Sequence, residues 1–318
     1  MGKKKRIASV LIILVALLLN VYLVVAVVAP QTVRLALCAV VDVVAVICTL
    51  NVETIFRMPL EIYRDRGMFV TLVKNDFQAR FAGSYLGLFW AYVQPVITIL
   101  LYWFVFQFGL RSGNVSNHPF ILFLVSGLVP WFYFSESWSG ATGSLLEYSY
   151  LVKKVVFNVD FLPVIKVCSA LFVHLFFVAI VVMMSLIYGY GVHLYLLQLA
   201  YYIFCAVVFV AGLSYLTSAL TVFFRDITQI VNILLTIGIW LTPIMWNAEA
   251  TMTGWIGKIF KLNPMYYIVD GFRDSILNRI WFWEKPVWSI YFLCLTMATY
   301  LLGMKLFNRL KVHFPDVL

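Results

Sequence analysis

Charge is what this chain has least of. Only 12% of its 318 residues are Asp, Glu, Lys or Arg, where soluble domains carry roughly 25%, and no polar stretch is long enough to build a soluble catalytic domain. Acidic residues number 14 against 23 basic ones, with too few inside apolar runs to suggest an ion-coupled carrier. The five cysteines, Cys38, Cys48, Cys168, Cys205 and Cys294, sit within hydrophobic runs and never form a CxxC pair. That argues against a disulfide framework or a thiolate metal site and leaves small buried apolar residues. His118, His174, His193 and His313 are scattered, so no histidine metal site is expected; His174 reads as a hydrogen-bonded helix-contact residue. No Walker A phosphate loop, HExxH or nucleophile elbow appears. The expectation is a chain with no catalytic site and no metal, with nothing of its own to hydrolyse a nucleotide. Its net charge of +9 lies where membrane topology would put it, which makes nucleic acid a poor explanation.

What the chain does have is apolar: 64% hydrophobic residues, 17% aromatic ones and a mean hydropathy of +0.97. The fold class is therefore an all-α polytopic membrane protein. Runs long enough to cross a bilayer as helices fall at about 7–29, 33–56, 84–108, 120–139, 161–187, 195–222, 228–246 and 287–307. The first follows Lys3-Lys4-Lys5-Arg6, but it exceeds a signal-peptide core and lacks a convincing cleavage site, so an uncleaved span is expected. The second carries Arg34, Asp42, Asn51 and Glu53 yet is too apolar for a loop. Counting it makes 1–56 a hairpin. Residues 3–6, Arg57, Arg64, Arg66, Lys74, Arg80, Lys153, Lys154, Lys166, Arg225, Lys305, Arg309 and Lys311 then share one side, which the positive-inside bias assigns to the cytoplasm with both termini. Residues 247–286 are too apolar for a loop and too interrupted for a span; two short helices in or on the external leaflet fit them.

The chain is organised around 69–110. Phe69, Leu72, Val73, Phe77 and Phe81 recur every three or four residues, with Lys74, Asp76, Gln78 and Arg80 turned elsewhere, as in a helix at a water–lipid boundary. Residues 57–66, with Pro59, read as a linker into it. A span with Pro95 in it follows directly, so the unit ties the membrane surface to the membrane interior. Lys153-Lys154 fits either a topogenic or a contact role. Arg225-Asp226 fits either a helix–helix turn or a charged peg for a partner's groove. The dense aromatics near 85–104 and 131–138 suit helix and lipid packing first, with a surface over which sugar rings slide as the second reading.

The run Leu72-Val73-Lys74-Asn75-Asp76-Phe77-Gln78-Ala79-Arg80-Phe81-Ala82-Gly83-Ser84-Tyr85-Leu86-Gly87-Leu88-Phe89-Trp90, followed by Gln94-Pro95, resembles the membrane subunits of polysaccharide ABC exporters, the type-2 permeases for O-antigen, capsule or teichoic acid. Leu151-Val152-Lys153-Lys154-Val155-Val156-Phe157 with Pro163, Phe223-Phe224-Arg225-Asp226, Thr242-Pro243-Ile244, Asn263-Pro264-Met265 and Gly271-Phe272-Arg273-Asp274 also match. The resemblance implies an ABC-2 transmembrane core of six spans over 84–311, preceded by a cytosolic interface helix at 57–83, with the 1–56 hairpin as an extra. It implies a homodimer bound to two cytosolic ABC ATPase subunits, which carry ATP and Mg2+, while this chain binds no cofactor. Arg66, Lys74, Asp76 and Arg80, with Phe224, Arg225 and Asp226, would meet the ATPase, and Lys153 and Lys154 would mark the cytosolic entrance. Tyr85, Phe89, Trp90, Tyr92, Trp131, Tyr133 and Trp138 would line the glycan path. Gate helices at 249–280 would place Trp255, Asn263, Pro264, Tyr267 and Arg273 at the external exit. The implied cargo is a glycan on an undecaprenyl-type lipid, moved across a bacterial inner or plasma membrane. An ABC-2 exporter of small lipids or drugs, a non-ABC carrier and a membrane scaffold are the alternatives.

Overall fold

The computed structural model of the chain describes all residues except 1, 26, 28–29, 81–82, 84, 112–114, 116–117, 154–157 and 247–253; the side chains of 2–5, 256 and 258 are also outside the description. Among the described residues there is no β-strand. Helices α1 (Gly2–Val25) and α2 (Gln31–Leu50) pack on each other as the expected hairpin. Pro30, extended at φ −52° and ψ 144°, starts α2 and prevents α1 from running on.

The expected linker is helical. After a break at Asn51 the chain forms α3 (Val52–Arg64), and after Asp65 it forms α4 (Arg66–Ala79). Pro59 lies inside α3, where it removes a backbone donor. The Arg57–Glu61 pair at 3.0 Å and the burial of Val52 and Met58 offset that loss. Of the two helices α3 is the more strongly amphipathic. Helix α4 buries Phe69, Val73 and Asp76, one face at helical spacing.

Seven described helical stretches are long and apolar enough to cross a membrane. They include α1, α2, α5 (Trp90–Phe104, continuing to Gly109), α6 (Phe120–Glu147), α7 (Phe161–Ile187), α8 (Gln198–Phe223) and α12 (Pro286–Leu310). The expected span at 228–246 departs from this. Helix α9 (Ile227–Leu241) has 15 residues, about 22 Å at 1.5 Å per residue. Thr242 turns extended ahead of Pro243, as a residue before proline must. Two short helices, α10 (Trp255–Lys261) and α11 (Pro264–Arg273), follow where such helices were expected.

Helix α6 is the centre of the bundle, buried over most of its length against α7, α8 and α11. Helix α8 packs equally closely on α12, and the reason is steric. A Cβ on Gly212 would lie 2.7 Å from the backbone nitrogen of Tyr300, and one on Gly303 would collide with the Gly212 carbonyl. Two facing glycines let the backbones touch, as small residues do in membrane helix pairs. Helices α5 and α9 bury little: Ala91 and Ile99 on the first, Val231 on the second.

Candidate functional site

Where α4 meets the bundle, five ionisable side chains converge on a buried carboxylate. Asp76, 3% exposed, comes from α4, and its own helix supplies Arg80 one turn later. Lys166 and Ser169 lie one turn apart on α7, and Glu136 and Glu147 come from α6. The Lys166 ammonium sits 2.7 Å from Asp76 and 2.7 Å from Glu147, and 5.0 Å from the Tyr148 ring centre. Tyr148 donates to Asp76 at 2.6 Å, and the Ser169 hydroxyl donates to it at 2.5 Å. Arg80 reaches Asp76 at 3.2 Å and pairs with Glu136. The carboxylate is thus filled on both oxygens, as a buried charge must be.

Burial by itself raises the pKa of the Asp76 carboxyl. Hydrogen bonds from Lys166, Ser169 and Tyr148, with the Lys166 charge, outweigh burial and hold it below the ordinary 3.8. A lowered carboxylate stabilises the docked helix fully above that ordinary value and ceases to do so as pH falls through the lowered one. Once corrected for the intrinsic pH dependence of exchange, the protection of the α4 amides should therefore fall only under strong acid and stay flat between pH 5 and 8.

A second cluster fastens α3. Arg57 reaches Asp160 at 3.0 Å and Asn308 at 3.2 Å; Lys311 reaches Asp160 at 3.0 Å; Asn158 donates to Glu61 at 2.8 Å. Asp160 is buried just ahead of α7, and Tyr215 of α8 donates to its carbonyl. The α3–α4 pair is thereby pinned to the same ends of α6, α7 and α12 at two points.

Of the residues expected to face a partner, Arg66, Lys74, Phe224, Arg225 and Asp226 are exposed. Asp76 and Arg80 turn into the chain instead. The turn at 224–226 projects as a short elbow between α8 and α9, with Thr228 donating to the Arg225 carbonyl at 2.8 Å. Lys153 is exposed, and Lys154 lies outside the described residues. The aromatics expected to share one path divide: Tyr85, Phe89 and Trp90 are exposed, and Tyr92 packs on Phe176 at 4.4 Å. Trp131 is buried against Gly238 of α9, Tyr133 is buried and donates to the Val167 carbonyl, and Trp138 packs half-buried on Phe134. His174 is a buried helix-contact residue, its ring tilted 4.7 Å from that of Tyr133 and near Phe272, with the Val129 backbone as its hydrogen-bonding neighbour.

At the opposite end, Asn263 caps α11 through the Met265 N–H and donates to Thr242 at 2.8 Å, with Pro264 opening the helix. Arg273 is buried, its guanidinium 3.5 Å above Phe123, and donates to the carbonyls of Pro243 and Ile244 at 2.7 Å each. Those carbonyls lie just past the end of α9, outside any helix ladder, so Arg273 ties off the break that Pro243 makes. Tyr267 is buried and donates to Ser289 of α12; Trp255 is exposed. Residues 249–253 of the expected gate region lie outside the described residues. Among the described residues there is no His/Cys/Asp/Glu group of three or more that could hold a metal.

Sequence reasoning missed Glu136, Glu147 and Asp160. The available signal was Lys166: a lysine just inside a span needs opposite charges beside it.

The chain is 28% identical over 218 residues to the O-antigen export system permease protein RfbA of Myxococcus xanthus, covering 68% of this chain and 83% of that protein. It is 25% identical over 252 residues to a protein of the same name from Klebsiella pneumoniae, covering 79% of this chain and 95% of the relative. The model of the ABC-2 type transporter family matches residues 68–277, from the first turn of α4 through the turn that ends α11. With seven candidate membrane spans, a buried joint at one end and broken helices at the other, the chain belongs to the ABC-2 type transporter family.

Proposed function

We propose that the chain is the membrane subunit of an ATP-driven exporter that carries a lipid-linked polysaccharide out of the cytoplasm, working as a homodimer with two cytosolic ABC ATPase subunits. The observation that carries the mechanism is the Asp76 joint. Helix α4 keeps Arg66 and Lys74 outward, where a partner meets them, while Asp76 and Arg80 fasten its inner face to α6 and α7. A push on α4 from a nucleotide-hydrolysing partner then reaches two membrane-crossing helices without a flexible link. Phe224, Arg225 and Asp226 form a second contact point for the same partner.

Exposed faces support the dimer. Helices α5 and α9 leave most of their surface open, and that surface holds Gln94, Asn232 and Thr236 as well as apolar residues. Polar side chains at membrane depth favour a protein partner or a watered path over lipid. A second copy facing α5 and α9 would shield these side chains from lipid and enclose Phe89 and Trp90 in the path. Tyr133, sealed inside one subunit, acts as scaffold in this reading. The relatives, O-antigen export permeases by name, supply the cargo class, an O-antigen-type glycan.

The test is pull-down of the partner ATPase, then ATP-dependent movement of a lipid-linked glycan in vesicles. Removing residues 57–81 should abolish association while membrane insertion persists. Co-purification that survives the deletion would sink the assignment of α3 and α4. Trp90→Ala should slow glycan movement several-fold with assembly intact; equal loss of both would make Trp90 a packing residue.

A further inference from the structure

Between the N-terminal hairpin and α12 lies an apolar crevice of about 370 Å³. Its walls include Leu11 and Val15 of α1, Val44 and Ala45 of α2, and Leu293 and Met297 of α12. The hairpin and the α3 that continues it are fastened at the crevice's two ends and gapped between them. At one end Tyr22 donates to the Trp283 carbonyl at 2.9 Å. At the other, Arg57, next to the lining residue Phe56, holds Asn308 and Asp160. In between, Ile290 of α12 reaches the hairpin's own small core, and the rest of the interface stands open.

We infer that this crevice holds one acyl chain of an anionic phospholipid, which completes the packing of the hairpin on the transport body. An open apolar gap between membrane helices forfeits the dispersion contacts of its lining. Water does not fill it, because the walls offer no polar partners. Leu11, Val15 and Leu293 are each close to half exposed, so the gap communicates with the surrounding bilayer.

Its depth selects the occupant. Along α1 the lining runs from Ala8 to Leu19, about 16 Å at 1.5 Å per residue. That is half of a hydrocarbon core about 30 Å thick, hence one leaflet. A partner helix, about 10 Å across and needing the full thickness, does not fit. The charge at the mouth selects the headgroup. Arg6 is exposed half a turn below Ala8 and follows Lys3, Lys4 and Lys5 in sequence, against Glu53 on α3. Such a basic group attracts an anionic headgroup by about 1 kcal/mol per residue.

The test uses the full chain reconstituted in an equal mixture of phosphatidylglycerol and phosphatidylcholine, then released for native mass spectrometry. One phospholipid should stay with each chain, enriched in phosphatidylglycerol. Ala45→Phe, which fills the crevice, should lower retention about tenfold; Val43→Phe, on an exposed face of the same helix, should leave it unchanged. Arg6→Gln should keep the lipid and weaken the preference for phosphatidylglycerol. Should Ala45→Phe fail to fold, wild-type Cys48 and Cys294, both crevice residues, give a second reading. Adding phosphatidylglycerol to stripped protein should slow their alkylation by N-ethylmaleimide about tenfold relative to Cys38. The inference fails if no lipid stays, if the two Phe variants retain it equally, if phosphatidylcholine is retained as readily as phosphatidylglycerol, or if the alkylation rates do not change.

Discussion

Asp76→Ala should leave the exporter assembled but idle. The substitution removes the one acceptor shared by Lys166, Arg80, Ser169 and Tyr148, while Arg66 and Lys74 on the outward face of α4 are untouched. A lysine 4% exposed then loses its buried counter-charge and keeps only Glu147, which is itself half in solvent. Breaking a buried pair by removing one partner costs about 3–5 kcal/mol, so α4 should come away from α7 before the bundle melts. The expected result is partner binding and ATP hydrolysis near wild type with glycan movement lost. The paired replacement Asp76→Leu with Lys166→Met separates stability from coupling. It removes both charges together, so thermal stability should return while transport should not, because the polar joint with Arg80 and Ser169 remains broken. Wild-type transport from the double variant would show that packing alone carries the push.

Gly303→Leu should be the most damaging single change in the membrane body. The new side chain meets the Gly212 carbonyl and the Leu216 nitrogen, and neither backbone can rotate away. Overpacking a core costs about 1–3 kcal/mol when side chains yield; here α8 and α12 must separate along their length, so the loss should reach the top of that range or beyond. Gly143→Leu on α6 is the control, since nothing lies within 4 Å of its added Cβ. Thermal melting of the purified protein should drop for Gly303→Leu and hold for Gly143→Leu.

The spans were legible in the sequence because bilayer thickness writes itself as run length. The joint was not. In a helical repeat Phe69, Val73 and Asp76 share a face, but the ionised aspartate reads as a solvent group unless its partners are known. Those partners, Lys166 and Ser169, are some ninety residues away, and pairing across that distance leaves no local pattern. Pro59 misled in the same manner: a proline marks a boundary by local rules, and only the tertiary fastening of Arg57 to Asp160 keeps α3 intact across it. The aromatic reading divided for a related reason. Composition cannot tell Phe89 and Trp90, which face outward, from Tyr133, whose hydroxyl is used within its own subunit. The extended residue at Thr242 was written in the sequence, in the proline after it, although the expected span ran past it.

That early stop has a mechanical consequence. Helix α9 falls roughly 8 Å short of the hydrocarbon thickness, and a short helix draws the surrounding lipid inward to match it. Where the second subunit leaves α9 uncovered the membrane should dimple, so the oily barrier is thinnest at the rim of the subunit interface.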